Sequence, residues 1–340
     1  MNFKKAILLI KATCFLYSGL SAQVSNDRNY IVNNIIIQPG VTTQSQVDAL
    51  THVYKQQQVN YFDGLGTALE QISVKASPLA KDMITPFAFN GNEQEVTKYL
   101  PYTDISGTTY GSFRNNIFTD QQNFYSPTNT TPQVIARDNH PYTQIFYELS
   151  PLQRPLQTGA PGQTWQPGNG RTVNIIYSTN KTADDVKRFT VSFVNNNFGT
   201  YTIASAYGEN ELLKTITVDE HGKQVIEFKD KEGKIILKKV QLTAIPNNTL
   251  GNNYNGWLCT YYLYDEFNLL RGVVQPKGVE LLVSSSWTFS NDILNEQMFR
   301  YEYDQKGRMI MKKVPGANMV EMVYDTRDRL IMSRDGRLNQ

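Results

Sequence analysis

The residues whose types and spacing could support chemistry lie in a few short acidic segments. Asp219-Glu220-His221 sets a base beside two carboxylates. Asp265-Glu266 and Asp304 offer two carboxyl groups, which glycoside cleavage requires. Each of these segments is followed by Gly or Asn, as in a tight turn, where acidic side chains are solvated and bind the backbone. The sequence therefore predicts turn residues at these positions, and we predict that the chain is not an enzyme.

Motifs for cofactors and metals are missing from the sequence. No glycine-rich segment ends in Gly-Lys-Ser/Thr, no G-x-S-x-G is present, and the third glycine of a dinucleotide fingerprint is replaced by Leu69. The histidines, His52, His140 and His221, are never spaced as metal ligands. No loop has the alternating oxygen ligands of a calcium site. We predict no catalytic, cofactor-binding or metal-binding residues.

The N-terminus has the order of features found in a secretory signal peptide. Lys4 and Lys5 precede an apolar run over residues 6–17, and Ser21-Ala22 is a small-residue exit. Residues 1–22 are predicted to be a signal peptide cleaved after Ala22, with export to the periplasm, the outer surface or the medium. A buried N-terminal helix or strand is the alternative, because Lys11 interrupts the apolar run.

Removal of residues 1–22 leaves a nearly neutral chain. Those residues hold three of the 33 basic side chains, so 33 − 3 = 30 bases face 31 acids. A neutral balance argues against nucleic acid as a partner. The mature chain has no further apolar run long enough to span a membrane. Cys14 leaves with the signal peptide, and Cys259 alone cannot form an internal disulfide.

The patterning of the remaining chain indicates an all-β protein of antiparallel hairpins. Aromatic residues are abundant, with 20 Tyr and 16 Phe, and short alternating runs end at Gly, Asn, Asp or Pro. Helical spacing of apolar residues is confined to residues 44–57, so at most one or two short helices are expected there.

Six segments repeat an aspartate followed three residues later by a residue that tolerates a left-handed backbone. Asp is favoured at the first position of a type I turn, and the residue three positions later commonly takes positive φ before the return strand begins. Gly does so without steric cost, and Asn and Asp are the next best types. The six predicted turn pairs are Asp63 with Gly66, Asp219 with Gly222, Asp230 with Gly233, Asp265 with Asn268, Asp304 with Gly307, and Asp325 with Asp328.

Tyrosines precede several of these aspartates. Tyr262 and Tyr264 are expected on one strand face, as are Tyr301 and Tyr303, because side chains alternate along a strand. Packed between neighbouring strands, these rings would bury apolar area. An open groove of tyrosines beside a Trp would instead favour glycan binding.

These motifs resemble the YD repeat of the RHS family. Residues 303–310, Tyr-Asp-Gln-Lys-Gly-Arg-Met-Ile, match it fully, and residues 61–66, 147–154 and 159–162 resemble the N-terminal DUF6443 domain of such proteins. The resemblance implies a partial β-shell that helps to enclose a C-terminal domain, often a toxin. Thr67 replaces the usual Arg, and residues 89–93 are a degenerate turn. Too few repeats are present to close a shell, so a fragment or truncated array is expected.

The predicted organisation has three parts: a signal peptide at 1–22, a DUF6443-like domain at 23–165, and degenerate YD repeats at 166–340. Residues 155–170 and 246–256 are expected to be loops, since they are rich in Gly, Pro and Asn. The predicted partners are the rest of the RHS shell or a cargo domain encoded downstream, and possible cell-surface components. The alternative function is a surface adhesin or glycan-binding protein that uses Trp165, Trp257 or Trp287.

Overall fold

The structure is a computed structural model that describes residues 24–105, 107–130, 135–194, 197–243 and 251–336. The predicted signal peptide and Cys14 lie outside the described residues. The chain divides into two compact units, with the boundary between Thr172 and Val173. The domain boundary predicted from the sequence lies after Trp165.

The first unit is an antiparallel meander with two helices. β1 pairs with β2, β2 with β3, and β3 with β4; β4 then pairs with both β5 and β6, and β5–β7–β8 continue the order. The elements are β1 (Asn29–Ile36), α1 (Gln44–Ala49), β2 (Lys55–Phe62), β3 (Ala68–Val74), β4 (Met83–Ala88), β5 (Thr97–Tyr99), β6 (Tyr102–Thr103), α2 (Ile117–Tyr125), β7 (Tyr142–Tyr147) and β8 (Pro155–Gly159).

The core of the first unit follows from strand alternation. Val59 and Tyr61 on β2, Ile72 on β3 and Ile84 on β4 are fully buried, and their sequence neighbours are more exposed. Ile117 of α2 completes the same cluster. The helix therefore covers the buried face of this part of the sheet.

The described part of the second unit has one long antiparallel sheet in which each hairpin pairs with the next. Its order is β9, β12, β13, β14, β15, β16, β17, β18, β19 and β20, and β10–β11 form a separate hairpin. The strands are β9 (Val173–Thr179), β10 (Lys187–Ser192), β11 (Thr200–Ala206), β12 (Leu213–Val218), β13 (Gln224–Lys229), β14 (Ile235–Gln241), β15 (Trp257–Tyr264), β16 (Leu270–Val274), β17 (Met298–Tyr303), β18 (Met309–Lys313), β19 (Val320–Tyr324) and β20 (Leu330–Asp335).

Two short helices separate β16 from β17. α3 spans Pro276–Ser284 and α4 spans Asn291–Glu296. α3 begins with Pro at its first turn, and the Ser290 side chain caps α4 by accepting from the Ile293 N–H at 3.3 Å. α3 and the β10–β11 hairpin both pack against β15, so they cover the buried face of the long sheet.

The all-β prediction is confirmed, and two details differ. Helices were expected only near residues 44–57, whereas α2, α3 and α4 lie elsewhere. The predicted loop at 155–170 is wrong at its start, because Pro155–Gly159 forms β8 and pairs with β7. Pro155 is tolerated because it is the first residue of that strand.

Candidate functional site

The turn at Asp304 joins β17 to β18 through four short hydrogen bonds. The Asp304 N–H donates to the Arg308 carbonyl, and the Gly307 N–H donates to the Asp304 carbonyl, both at 2.9 Å. One carboxylate oxygen, Oδ1, accepts from the N–H groups of Lys306 and Arg308, again at 2.9 Å. The side chain thus satisfies two backbone donors that the reversal of the chain leaves open.

The other five predicted turns have the same pattern of bonds. In each, the aspartate Oδ1 accepts from the N–H groups two and four residues later, at 2.8–2.9 Å. The third residue after each aspartate has positive φ, from 63° at Asp328 and 66° at Asn268 to 90° at Gly66. Asn268 and Asp328 therefore adopt the left-handed conformation that Gly adopts in the other turns.

The degenerate turn at residues 89–93 has this geometry too. Oδ1 of Asn90 accepts from the N–H groups of Asn92 at 2.9 Å and Gln94 at 3.0 Å. Glu93, three residues after Asn90, has φ of 58°. The side-chain amide oxygen replaces the carboxylate oxygen, so the corner is intact although the sequence motif is lost.

The second carboxylate oxygen of three turns holds an arginine of the same hairpin. Nε of Arg308 donates to Asp304 Oδ2 at 2.7 Å, Nε of Arg271 to Asp265 at 2.6 Å, and Nε of Arg329 to Asp325 at 2.8 Å. The backbone N–H of Arg329 and the guanidinium bond hold the pKa of Asp325 below its usual value. A lowered pKa keeps the Asp325 carboxylate an ionised acceptor, which suits a structural role and not that of a general acid.

In three hairpins a cation that follows the turn contacts a tyrosine of the next hairpin. Lys234 lies 5.7 Å from the ring centroid of Tyr264, Arg271 5.2 Å from that of Tyr303, and Arg308 4.9 Å from that of Tyr324. These distances are within the range of cation–π attraction. Consecutive hairpins are therefore joined by side-chain contacts as well as by the ladder of the sheet.

Tyr262 and Tyr264 share one face of β15, Tyr301 and Tyr303 share one face of β17, and Tyr264 also packs against the core cluster. Tyr262 and Tyr264 alternate with the buried Tyr261 and Leu263 along β15, and all four motif tyrosines are half-buried. The two tryptophans of the described part of the second unit do not lie beside them: Trp257 is buried in the core, and Trp287 packs edge-on against Tyr261 and Tyr254. The open tyrosine–Trp groove that would favour glycan binding is not formed by these residues.

A buried ion network joins the long sheet to the β10–β11 hairpin. Arg271 lies between Asp265 and Glu302, and the side chains of all three are at least nine-tenths buried. Oε1 of Glu302 accepts from the Gly199 N–H at 2.7 Å. Burial raises the pKa of Glu302, and the Gly199 N–H and Arg271 oppose this rise. The bond between Gly199 and Glu302 joins residues 103 positions apart in sequence, and it fixes the end of the β10–β11 hairpin on the sheet.

A second buried cation occupies the core of the second unit. Lys239 is fully buried, and its ammonium donates to the carbonyls of Gly251 and Asn253 at 2.8 Å and of Asp184 at 3.3 Å. Burial lowers the pKa of Lys239 to about 8. Cys259 lies opposite Lys239 on β15, and burial raises the pKa of its thiol to about 11. That thiol is a core side chain and not an activated nucleophile.

The first unit contains a buried glutamate on β3. Oε1 of Glu70 accepts from the Arg114 N–H at 2.9 Å, and Oε2 is buried without a partner among the described residues. Burial raises the pKa of Glu70 to about 8. Asp82 is buried nearby and accepts from the N–H of Gly111 at 2.6 Å and of Lys75 at 3.0 Å. Neither Glu70 nor Asp82 belongs to a motif that the sequence predicts.

The enzyme-like segments of the sequence do not assemble into a pocket of catalytic groups. His221 is exposed at the tip of the β12–β13 turn, where its N–H donates to Asp219. Asp265 and Asp304 belong to different turns, and each pairs with its own arginine. Over the described ranges, no three His, Cys, Asp or Glu side chains are grouped as they would be around a metal ion.

One open groove lies in the first unit, between the Asn90 turn and the end of β7. Its volume is about 340 Å³. Amide side chains of Asn90, Asn92 and Gln144 line it together with Phe146 and Tyr147. Glu148 is its only carboxylate among the described residues, and a bidentate bond to Arg154 holds the pKa of this group at about 2. This carboxylate is therefore ionised and paired with Arg154 near neutral pH.

These observations define a chain of linked antiparallel β-hairpins with aspartate-capped corners. In the part of the chain that is described, no helix is both long and apolar enough to cross a bilayer. Residues 35–179 match a family model described as a domain of unknown function, DUF6443. None of the curated proteins matches the chain.

Solved structures with a similar fold come from toxin complexes. The crystal structure of TcdB2-TccC3-TEV matches 95% of this chain with a TM-score of 0.53 and 14% identity. The structure of a Photorhabdus luminescens Tc holotoxin pore matches 90% with a TM-score of 0.51 and 13% identity. This chain spans 13% and 12% of those chains, respectively. At this identity the likeness shows a shared all-β fold.

Proposed function

We propose that this chain is a non-enzymatic scaffold that forms part of the wall of an RHS-type β-shell around a C-terminal cargo domain. The observation that carries the proposal is the common use of the six corner aspartates. Each places one carboxylate oxygen on two backbone N–H groups of its own turn. The acidic side chains most suggestive of catalysis therefore hold the chain reversals.

The similar toxin structures support a C-terminal cargo segment as the kind of partner. One of them is described as TcdB2-TccC3 without its hypervariable C-terminal region, so that protein has a distinct C-terminal segment. By analogy, the partner of this chain is a cargo segment or the remaining shell, encoded downstream. A wall of hairpins joined by cation–tyrosine contacts can enclose such a segment without making or breaking a covalent bond.

Co-expression of the full chain with the polypeptide encoded directly downstream tests this function. We expect the two to co-purify, and the downstream polypeptide to resist protease in the complex but not alone. An unrelated polypeptide of similar size is the control. A downstream polypeptide that neither binds nor gains protection would refute the scaffold function, as would a hydrolytic activity that Asp304→Asn abolishes.

Export is the second part of the proposal, and it rests on residues 1–22. The order of charge, apolar run and small residues there is that of a signal peptide. Mass spectrometry of the chain from extracytoplasmic fractions should find Gln23 as the first residue. A protein retained in the cytoplasm with Met1 intact would contradict export and leave the scaffold function untouched.

A further inference from the structure

One lysine–aspartate pair of the second unit is buried away from solvent. Nζ of Lys214, on β12, lies 2.5 Å from Oδ1 of Asp184, in the segment between β9 and β10. The side chains of Lys214 and Asp184 are 7% and 0% exposed. The ring of Phe228 lies 5.3 Å from the Lys214 ammonium and covers one side of it. An amino group and a carboxyl group are therefore held in contact in a site with little water.

The orientation of the Asp184 carboxyl group is fixed from two further sides. Its second oxygen, Oδ2, accepts from the Lys181 N–H at 2.7 Å. Its backbone carbonyl accepts from the Lys239 ammonium at 3.3 Å, and Asp184 itself ends a short 3₁₀ turn over Thr182–Asp184. One carboxyl oxygen therefore faces the Lys214 amino group, while the other faces a backbone N–H donor.

This arrangement contains the groups that formation of an amide requires. Transfer of a proton from the Lys214 ammonium to Oδ1 gives a neutral amine and a neutral acid, and a site without water favours neutral groups over charged ones. A neutral lysine amine is a nucleophile. Its attack on Cγ of Asp184 moves negative charge onto Oδ2, which the Lys181 N–H stabilises. Because both groups are already in contact, the reaction avoids the entropic cost of bringing them together.

We infer that Lys214 and Asp184 condense into an intramolecular isopeptide bond. The Nζ–Cγ bond forms and the Cγ–Oδ1 bond breaks, and Oδ1 leaves as water with two protons that come from the ammonium group. Oδ2 becomes the amide oxygen and keeps its hydrogen bond to the Lys181 N–H. An ammonium and a carboxylate thus give an amide and water, so the step balances without an oxidant, a metal or any other reactant.

The bond closes residues 184–214 into a ring that contains β10 and β11. A buried ion pair adds little net stability, because both charges must leave water. An amide removes the two charges and also restricts the unfolded chain, as a disulfide does. Cys259 is the only cysteine after residue 22, so a chain without residues 1–22 cannot form a disulfide within itself. The inference concerns this chain alone, and it holds or fails independently of the scaffold function.

A neighbouring lysine–aspartate pair provides an internal control. Nζ of Lys187 lies 2.6 Å from Oδ1 of Asp185, but these side chains are 19% and 38% exposed. Water stabilises the two charges of such a pair. Lys187 and Asp185 should therefore remain an ion pair, although their residue types and separation are nearly those of the buried pair.

Mass spectrometry of the folded full chain tests the inference. The intact mass should be lower by one water molecule than the mass calculated for the same N-terminus. Trypsin does not cleave after an acylated lysine, so residues 182–187 should be found joined to residues 189–223 in one branched peptide. Lys214→Arg should restore the full mass, because a guanidinium stays protonated and is not a nucleophile. Lys187→Arg removes the lysine of the exposed pair and should leave the branched peptide unchanged.

The unmodified chain alone decides the question, so the test stands even if the Lys214→Arg variant does not fold. Recovery of residues 182–187 and 189–214 as separate peptides, together with the full intact mass, would overturn the inference and leave a buried ion pair. A loss of water that maps to Asp185 and Lys187, or that persists in a folded Lys214→Arg variant, would overturn it as well.

Discussion

The Tyr303 hydroxyl on β17 donates a 3.1 Å hydrogen bond to the Leu270 carbonyl at the start of β16. The two residues belong to consecutive hairpins that are separated in sequence by α3 and α4. The bond joins the side chain of one repeat to the backbone of the preceding repeat. It therefore stabilises the sheet across the insertion that carries α3 and α4.

Tyr303→Phe should lower the free energy of unfolding by about 0.5–1.5 kcal/mol, because the Leu270 carbonyl loses a partner in a half-buried site. Urea denaturation of the full chain measures this change. Tyr262→Phe is the matched control, since Tyr262 lies on the same face and its hydroxyl makes no hydrogen bond among the described residues. Equal effects of the two substitutions would show that the Tyr303 bond does not contribute.

The turn at Asp63 allows a test of backbone conformation within one hairpin. Gly66 has φ of 90°, whereas Gly64 has no positive φ, and a Cβ at either position would meet open space. Gly66→Ala should cost about 1–2 kcal/mol, because only the left-handed backbone penalises it. Gly64→Ala should be neutral or slightly stabilising, since it restricts the unfolded chain. Thermal unfolding of both variants measures the two changes in stability. Similar losses of stability in the two variants would contradict the left-handed conformation assigned to Gly66.

The turns of this structure could be predicted from the sequence, because the interactions that form each turn lie within a few residues. An aspartate that caps its own turn and a left-handed residue three positions later lie within five residues. The Asn90 turn shows the limit of the motif, since an amide oxygen gives the same bonds without an aspartate. α3 and α4 carry recognisable signals, Pro276 at a helix start and Ser290 as a cap, but they are short and lack a long apolar period.

The long-range part could not be predicted from the sequence. Arg271 and Glu302 are 31 residues apart, and their contact depends on the pairing of β16 with β17 and on the β10–β11 hairpin. Lys239 lies in an alternating strand and would be expected to face solvent, but three carbonyls from distant loops surround its ammonium. Such charges are buried only because tertiary partners satisfy them.

Removal of Arg271, the central cation of the buried network, should lower the free energy of unfolding far more than removal of the exposed Arg329. Arg271→Leu leaves Asp265 and Glu302 without their cation in a buried site, which should cost about 3–5 kcal/mol. Arg329→Leu breaks the equivalent bond to Asp325 at an exposed turn and should have a small effect by comparison. Urea denaturation compares the two variants. In the double variant with Glu302→Gln, part of the Arg271 loss should be recovered, and purely additive losses would argue against coupling.

Glu70 should make the stability of the first unit depend on pH. Its pKa in the folded chain is about 8, above the ordinary value of 4.5, so the folded state holds a proton that the unfolded state releases between these values. The stabilisation is complete below pH 4.5 and is lost as pH rises to 8, with a slope of roughly 1.4 kcal/mol per pH unit at most.

Glu70→Gln keeps the shape without the titration, so its stability should change less over this range and exceed that of the unmodified chain above pH 8. Glu93→Gln, at an exposed turn of the same unit, should follow the unmodified chain. Urea midpoints measured from pH 5 to pH 9 give the comparison, and parallel curves for the Glu70→Gln variant and the unmodified chain would show that Glu70 is ionised in the folded protein.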